Sequence, residues 1–151
     1  MADLRDAASG AGLGNVRTLL ATGNLIFQSD EPEDTLLEIL RNITEPFGLS
    51  LPVLLRRATD LPAIREANPF TQSARDRPSR LLVAFLDRAP SELPPPPGRE
   101  RLAQHGREVY VDYPDGVGAS KLAPGILDRK LGVVGTTRNW NTLLKLIEAT
   151  S

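Results

Sequence analysis

Two short stretches of the chain carry residue types that hold anions. Asp115-Gly116-Val117-Gly118-Ala119-Ser120-Lys121 combines two glycines, a hydroxyl and an ammonium. Set between a strand and a helix, such a segment aims backbone N–H groups, the helix dipole, the Ser120 hydroxyl and Lys121 at one point. Its spacing is not that of a Walker A loop, which needs Gly-Lys followed by Ser or Thr, and the third glycine of a dinucleotide fingerprint is missing. The plainer alternative is a turn in which Gly116 and Gly118 relax the backbone and Ser120 caps the helix. The second stretch is Thr136-Thr137-Arg138-Asn139-Trp140-Asn141-Thr142. Arg138 and Asn141 stand three apart, so on a helix they face one way. A guanidinium fork beside a carboxamide can clamp a carboxylate, a phosphate or a base edge. The alternative ties both to neighbouring backbone. Thr137 is expected to cap this helix and Trp140 to lie in the core.

Other reactive residue types are sparse. The chain has no Cys, which excludes disulfides, thiolate catalysis, zinc ribbons and iron–sulfur clusters. Its one histidine, His105, cannot build a polyhistidine metal site and is expected at a helix end before Gly106. Ser120 and Lys121 are adjacent and do not face each other on a helix, which makes a poor nucleophile–base pair. Asp112 and Asp115 flank Tyr113-Pro114 and could hold Mg²⁺ by two carboxylates, although turn capping by Asp115 is the simpler role. Thr22-Gly23-Asn24 reads as a hairpin turn and Arg56-Arg57 as a solvated strand end. Tyr110 shares a strand face with Glu108 and Asp112, where a stacking role is conceivable. No cofactor is expected.

The elements that must position these groups belong to an ordinary globular chain. With 151 residues, 40% apolar and 25% charged, it has enough surface to bury a core, and disorder, collagen-like repeats and long coiled coils are excluded. No apolar run approaches the ~20 residues of a membrane span and no basic-then-apolar leader opens the sequence, so the expectation is soluble and cytoplasmic, with no membrane partner. A net charge of −1 argues against a nucleic-acid coat protein. The charge is uneven, however. From Gly116 onward five basic residues stand against Asp128 and Glu148, which marks that end for an anion.

Patterning predicts a helix over 2–10 stopped by Gly10-Ala11-Gly12, then a hairpin of strands 15–20 and 25–28. A helix follows from the acid-rich start at Ser29–Asp34 through the stripe Leu36, Leu40, Ile43 and Phe47, ending at Gly48. Residues 51–57 read as a strand that Pro52 confines to an edge or a strand start. The order is helix, strand, strand, helix, strand, which is a ferredoxin-like plait lacking its first strand. Thr59 then caps a short helix to Ala67, and 72–79 is polar and irregular. Arg80–Leu86 is the most apolar strand, of buried character. Pro94–Pro97 form a stiff connector, with an SH3-type ligand as the sharper reading. A short helix over 99–104, a strand over 108–113 and helices over 120–130 and 138–149 complete the chain, the last with Trp140, Leu143, Leu144 and Ile147 on one face.

Several of these segments, in this order and spacing, resemble the domain-of-unknown-function family 1697 (DUF1697), a group of small bacterial proteins. They are Val16-Arg17-Thr18, Thr22-Gly23-Asn24-Leu25-Ile26-Phe27, Asn68-Pro69-Phe70, Tyr113 through Leu122, and Thr137-Arg138-Asn139-Trp140-Asn141-Thr142. The resemblance implies an α+β fold of ferredoxin-like character and brings no established activity, cofactor or catalytic residue. Relatives open with an apolar strand and a glycine-rich loop ahead of the first helix, a stretch this sequence lacks, and the strand order shows the same gap.

The expected organisation is α+β: a ferredoxin-like first half over 1–57, a connector over 58–79, and a second small α/β half over 80–151 ending in two helices, all in one compact unit. The expected function is a small binding module for a phosphorylated or anionic ligand, a nucleotide or a nucleic-acid end. Its ligand would be held by Gly116, Gly118, Ser120, Lys121, Arg138 and Asn141. A phosphate-ester hydrolase or transferase and a structural or interaction protein are the alternatives.

Overall fold

Antiparallel pairing organises both halves of the chain. The computed structural model describes residues 2–19, 23–47 and 53–151, and its chain forms two units, Met1–Leu55 and Arg56–Ser151. Among the described residues no helix is long and apolar enough to cross a membrane. Mixed helices and antiparallel sheets make the fold α+β.

In the first unit α1 (Ala2–Gly10) leads into the antiparallel pair β1 (Gly14–Leu19) and β2 (Asn24–Gln28), followed by α2 (Glu33–Thr44). Gly12 is the residue that ends α1. At φ +95° it sends its own N–H to the Ser9 carbonyl (3.1 Å) and the Leu13 N–H to the Ala8 carbonyl (3.2 Å), the paired bonds of a Schellman end. Leu13 and Ala8 are both buried, so the same turn seals the small core of Leu36 and Leu40. Glu33 and Asp34 sit in the first turn of α2, where the dipole favours anions, with Pro32 as its N-cap. The expected strand over 51–57 is not formed by residues 53–57, although Val53 and Leu55 pack on this core; 51 and 52 lie outside the described residues. The expected turn residues 21–22 and the helix stop at Gly48 lie outside them as well.

The second unit begins with α3 (Leu61–Glu66), inside the helix expected up to Ala67, and α4 (Thr71–Asp76), so part of the stretch 72–79 expected to be irregular is helical. Asp60, not Thr59, is the N-cap residue of α3, and no side chain caps it. Then come β3 (Leu81–Leu86), β4 (Arg101–His105), β5 (Glu108–Asp112), α5 (Pro124–Leu131), β6 (Gly135–Asn139) and α6 (Trp140–Thr150). The strands form one antiparallel sheet in the order β4-β5-β3-β6. Every residue of β3 is buried, because both faces of the sheet are covered. Leu81, Val83, Phe85 and Tyr110 face α3 and α6, while Leu82, Ala84, Leu86, Val109 and Val111 face Leu122 and α5.

Two expected helices are corrected here. Residues 101–105 are an edge strand, turned back by the two-residue loop Gly106-Arg107, with Gly106 at φ +59° in the first central position of a type II′ hairpin. His105 therefore ends a strand. The last helix starts at Trp140, since 135–139 pair with β3 in the register Leu82↔Asn139. Its cap is Asn139, whose Oδ1 accepts from the Thr142 N–H at 3.0 Å, in place of Thr137. Between β3 and β4 the proline segment carries no regular structure, and the Gln104 side chain donates to the Pro90 carbonyl at 3.0 Å.

Trp140 is only 5% exposed and packs with Leu61, Ile64, Tyr110 and Leu143. As the sole tryptophan it reports directly on this core. Trp140→Ala is expected to lower unfolding free energy by ~3–5 kcal/mol. Native emission is expected to be blue-shifted and resistant to iodide; a red maximum with ready quenching would place the ring in solvent.

Candidate functional site

The turn after β5 is built from its own hydrogen bonds. Gly116, at φ +92°, donates its N–H to the Tyr113 carbonyl (3.0 Å), and the Ser120 N–H bonds the Val117 carbonyl (3.1 Å). Tyr113 is buried, and its hydroxyl donates to the Leu122 carbonyl at 2.7 Å. Ser120 Oγ accepts from the Leu122 N–H (2.9 Å) and donates to Glu100 Oε1 (2.7 Å). That hydrogen bond holds the Glu100 carboxyl below its ordinary range. Ser120 thus closes a local turn and does not cap α5, whose N-cap is Ala123. Gly118 and Lys121 are exposed. A hollow of about 210 Å³ opens here, lined among others by Gly98, Arg99, Asp115, Gly116, Ser120 and Lys121.

Arg138 and Asn141 are elsewhere. Arg138 lies opposite Val83 in β6, hence on the α3/α6 face, whereas Leu122 belongs to the α5 face. The Arg138 guanidinium donates to Thr136 Oγ1 (2.7 Å) and the Thr137 carbonyl (2.9 Å), and burial lowers its pKa. Asn141 is exposed in the first turn of α6. Four of the six expected residues, Gly116, Gly118, Ser120 and Lys121, therefore share one turn, and the other two sit across the sheet. The expected convergence of two helix starts does not occur, because Arg138 is a strand residue whose face is set by register.

The same end of the sheet holds a cluster that sequence reading missed. Asp112, at the end of β5, has a fully buried side chain. Arg77 donates from Nε to Oδ1 (3.0 Å) and from Nη2 to Oδ2 (2.8 Å). Arg101 Nη2 reaches Oδ2 at 2.9 Å, and both guanidiniums also donate to Ser73 Oγ. Burial pushes the Asp112 pKa up, but the Arg77, Arg101 and Ser73 hydrogen bonds and the Arg77 charge outweigh it and hold the carboxyl low. Arg101 also lies over the Phe70 ring, 4.7 Å from its centroid. Beyond the strand ends, Arg99 pairs with Asp115, which lowers that carboxyl, and Arg80 donates to the Pro114 carbonyl at 2.8 Å. With both Asp112 and Asp115 committed to arginines, the Mg²⁺ reading has no free donor pair, and among the described residues no cluster of three acidic or histidine ligands exists.

Topology produces this convergence. β3 and β4 both run antiparallel to β5, so their starts meet at its end, with Leu81 and Arg101 both in register with Asp112. The available signal was the accumulation of arginines ahead of the apolar run of β3 and at the start of β4: Arg75, Arg77 and Arg80, then Arg99 and Arg101. At the other end of β5, Glu108 is buried against Arg56, which also bonds the Leu86 carbonyl at 2.7 Å, so Arg56 is no solvated strand end. Tyr110 is buried between them, its hydroxyl bonded to the Ile64 carbonyl and its pKa pushed up by burial to about 12, which removes it as a stacking surface.

The profile of a family described as protein of unknown function (DUF1697) matches residues 1–110. A solved structure of similar fold is that of the conserved bacterial protein SP0830 from Streptococcus pneumoniae, with a TM-score of 0.70 and 21% identity over 99% of this chain and 88% of that one. No curated protein matches significantly.

Removing one partner from a buried ion pair leaves uncompensated charge. Asp112→Ala is expected to lose about 3 kcal/mol at pH 7 in denaturant titration, the low end of the range because Arg77 and Arg101 are partly exposed. The Asp112 carboxyl is depressed on folding, so its contribution is present above the unfolded carboxylate pKa and fades as pH falls through the folded value. The stability gap between wild type and Asp112→Asn should accordingly narrow below about pH 4.

Proposed function

For this chain, which belongs to the DUF1697 family of proteins of unknown function, we propose a role as a soluble, cytoplasmic binding module for a small phosphate-bearing ligand held at the arginine end of its four-stranded sheet. The observation that carries the reading is an excess of cations there: Arg77, Arg80, Arg99, Arg101 and Lys121 against Asp76, Glu100, Asp112 and Asp115. Asp112 is satisfied by its two arginines and fixes them in place. Arg99 and Asp115 are 71% and 60% exposed, and solvent screening makes such a surface pair weak. An incoming phosphate can take over the Arg99 fork, since guanidinium suits two phosphate oxygens at once. Lys121 adds a second charge across the hollow. At about 210 Å³ that hollow is smaller than the ~300–1,000 Å³ of sites that swallow a whole ligand, and it suits a phosphate with the rest of the molecule outside.

Binding is favoured over turnover. Ser120 faces Glu100, but a carboxylate held below its ordinary range is a weak general base, and Asp115 is held low as well, so neither supplies an acid at neutral pH.

Isothermal titration with inorganic pyrophosphate is expected to give a micromolar to millimolar Kd, roughly −4 to −8 kcal/mol. Arg99→Ala with Lys121→Ala should weaken it more than ~10-fold with an unchanged thermal midpoint, and added salt should weaken it further. Asn141→Ala, on the other face, should leave it unchanged. Absence of millimolar binding, or equal binding by the double variant, overturns the site.

A further inference from the structure

The Arg101 guanidinium is pinned in an unusual way for a side chain that is 53% exposed. Its Nε and Nη2 edge is committed to Asp112 Oδ2 (3.3 and 2.9 Å) and Nη2 also to Ser73 Oγ (2.9 Å). Its Cζ lies over the Phe70 ring, 4.7 Å from the centroid. Phe70 is itself held, because its N–H bonds the Asn68 side chain at 3.0 Å in the Asn68-Pro69-Phe70 turn. The outcome is a planar, delocalised cation held by a carboxylate, a hydroxyl and a ring on a side chain that is still half exposed. Planar π-systems stack on such a surface, and the ordering that normally opposes the contact has already been met by the ring and the carboxylate.

We propose that the ligand of the arginine end is a mononucleotide, its phosphate at Arg99 and Lys121 and its base stacked on the Arg101 guanidinium. This rests on the phosphate reading above and adds the identity of the rest of the ligand. Arg99 and Arg101 are two residues apart, which holds their Cα atoms within about 7 Å of each other. A sugar bridging base and phosphate is on that scale. The stack accepts any base, because every base has a π-face, and so the site recognises nucleotides as a class.

The test titrates the full-length chain with adenosine monophosphate, ribose 5-phosphate and inorganic phosphate, following heat and the absorbance of the base near 260 nm. Adenosine monophosphate should bind about tenfold or more tightly than ribose 5-phosphate, with hypochromicity on binding. Arg101→Lys keeps the charge beside Asp112 and removes the plate. It should bring adenosine monophosphate down to the ribose 5-phosphate affinity while leaving ribose 5-phosphate unchanged. Equal affinities for the two in wild type, without hypochromicity, overturn the stack and leave the phosphate site standing. No binding of any of the three overturns both. Should Arg101→Lys fail to fold, the wild-type comparison decides alone.

Discussion

A carboxylate buried without compensation costs several kcal/mol, and the second unit is arranged around not incurring that cost at Asp112. Both of its oxygens are taken by guanidiniums that reach in from beyond α4 and from the start of β4, and Ser73 of α4 ties the two together. One side chain thereby fastens the end of α4 to both strands of the β4–β5 hairpin. The pairing also leaves a surplus, since two arginines meet one aspartate. That surplus, carried on a rigid support, is what makes this end of the sheet cationic in a chain whose overall charge is −1.

The sheet supplies the rigidity. β3 and β5 are buried along their whole lengths, and β5 begins and ends on an acid held by arginine: Glu108 by Arg56, Asp112 by Arg77 and Arg101. Between them Tyr110 is anchored through its hydroxyl to α3. Helices on both faces cover the sheet, so the accessible charged groups of the sheet itself are those at its strand ends and edges. This is where Arg99, Asp115 and Lys121 lie.

Local chemistry was legible from the chain alone. Gly12 past the end of α1, Gly132 in the left-handed conformation after α5, the unbroken apolar run of β3 and the buried Trp140 all follow from short-range sterics and hydrophobic pattern. What tertiary structure decided were the elements whose local preference was weak. Residues 101–105 have helix-forming composition and became a strand because β5 offered an edge, and 135–139 became a strand because β3 offered the other. Both outcomes altered the site. Strand register moves a side chain from one face to the other with each single-residue step, so Arg138 went to the face away from Ser120, and Arg77, Arg99 and Arg101 were gathered around one end of β5. Sequence fixes which residues are chemically able; pairing fixes which of them meet, because the β3 partner that sets the faces of β5 and β6 lies tens of residues away from both.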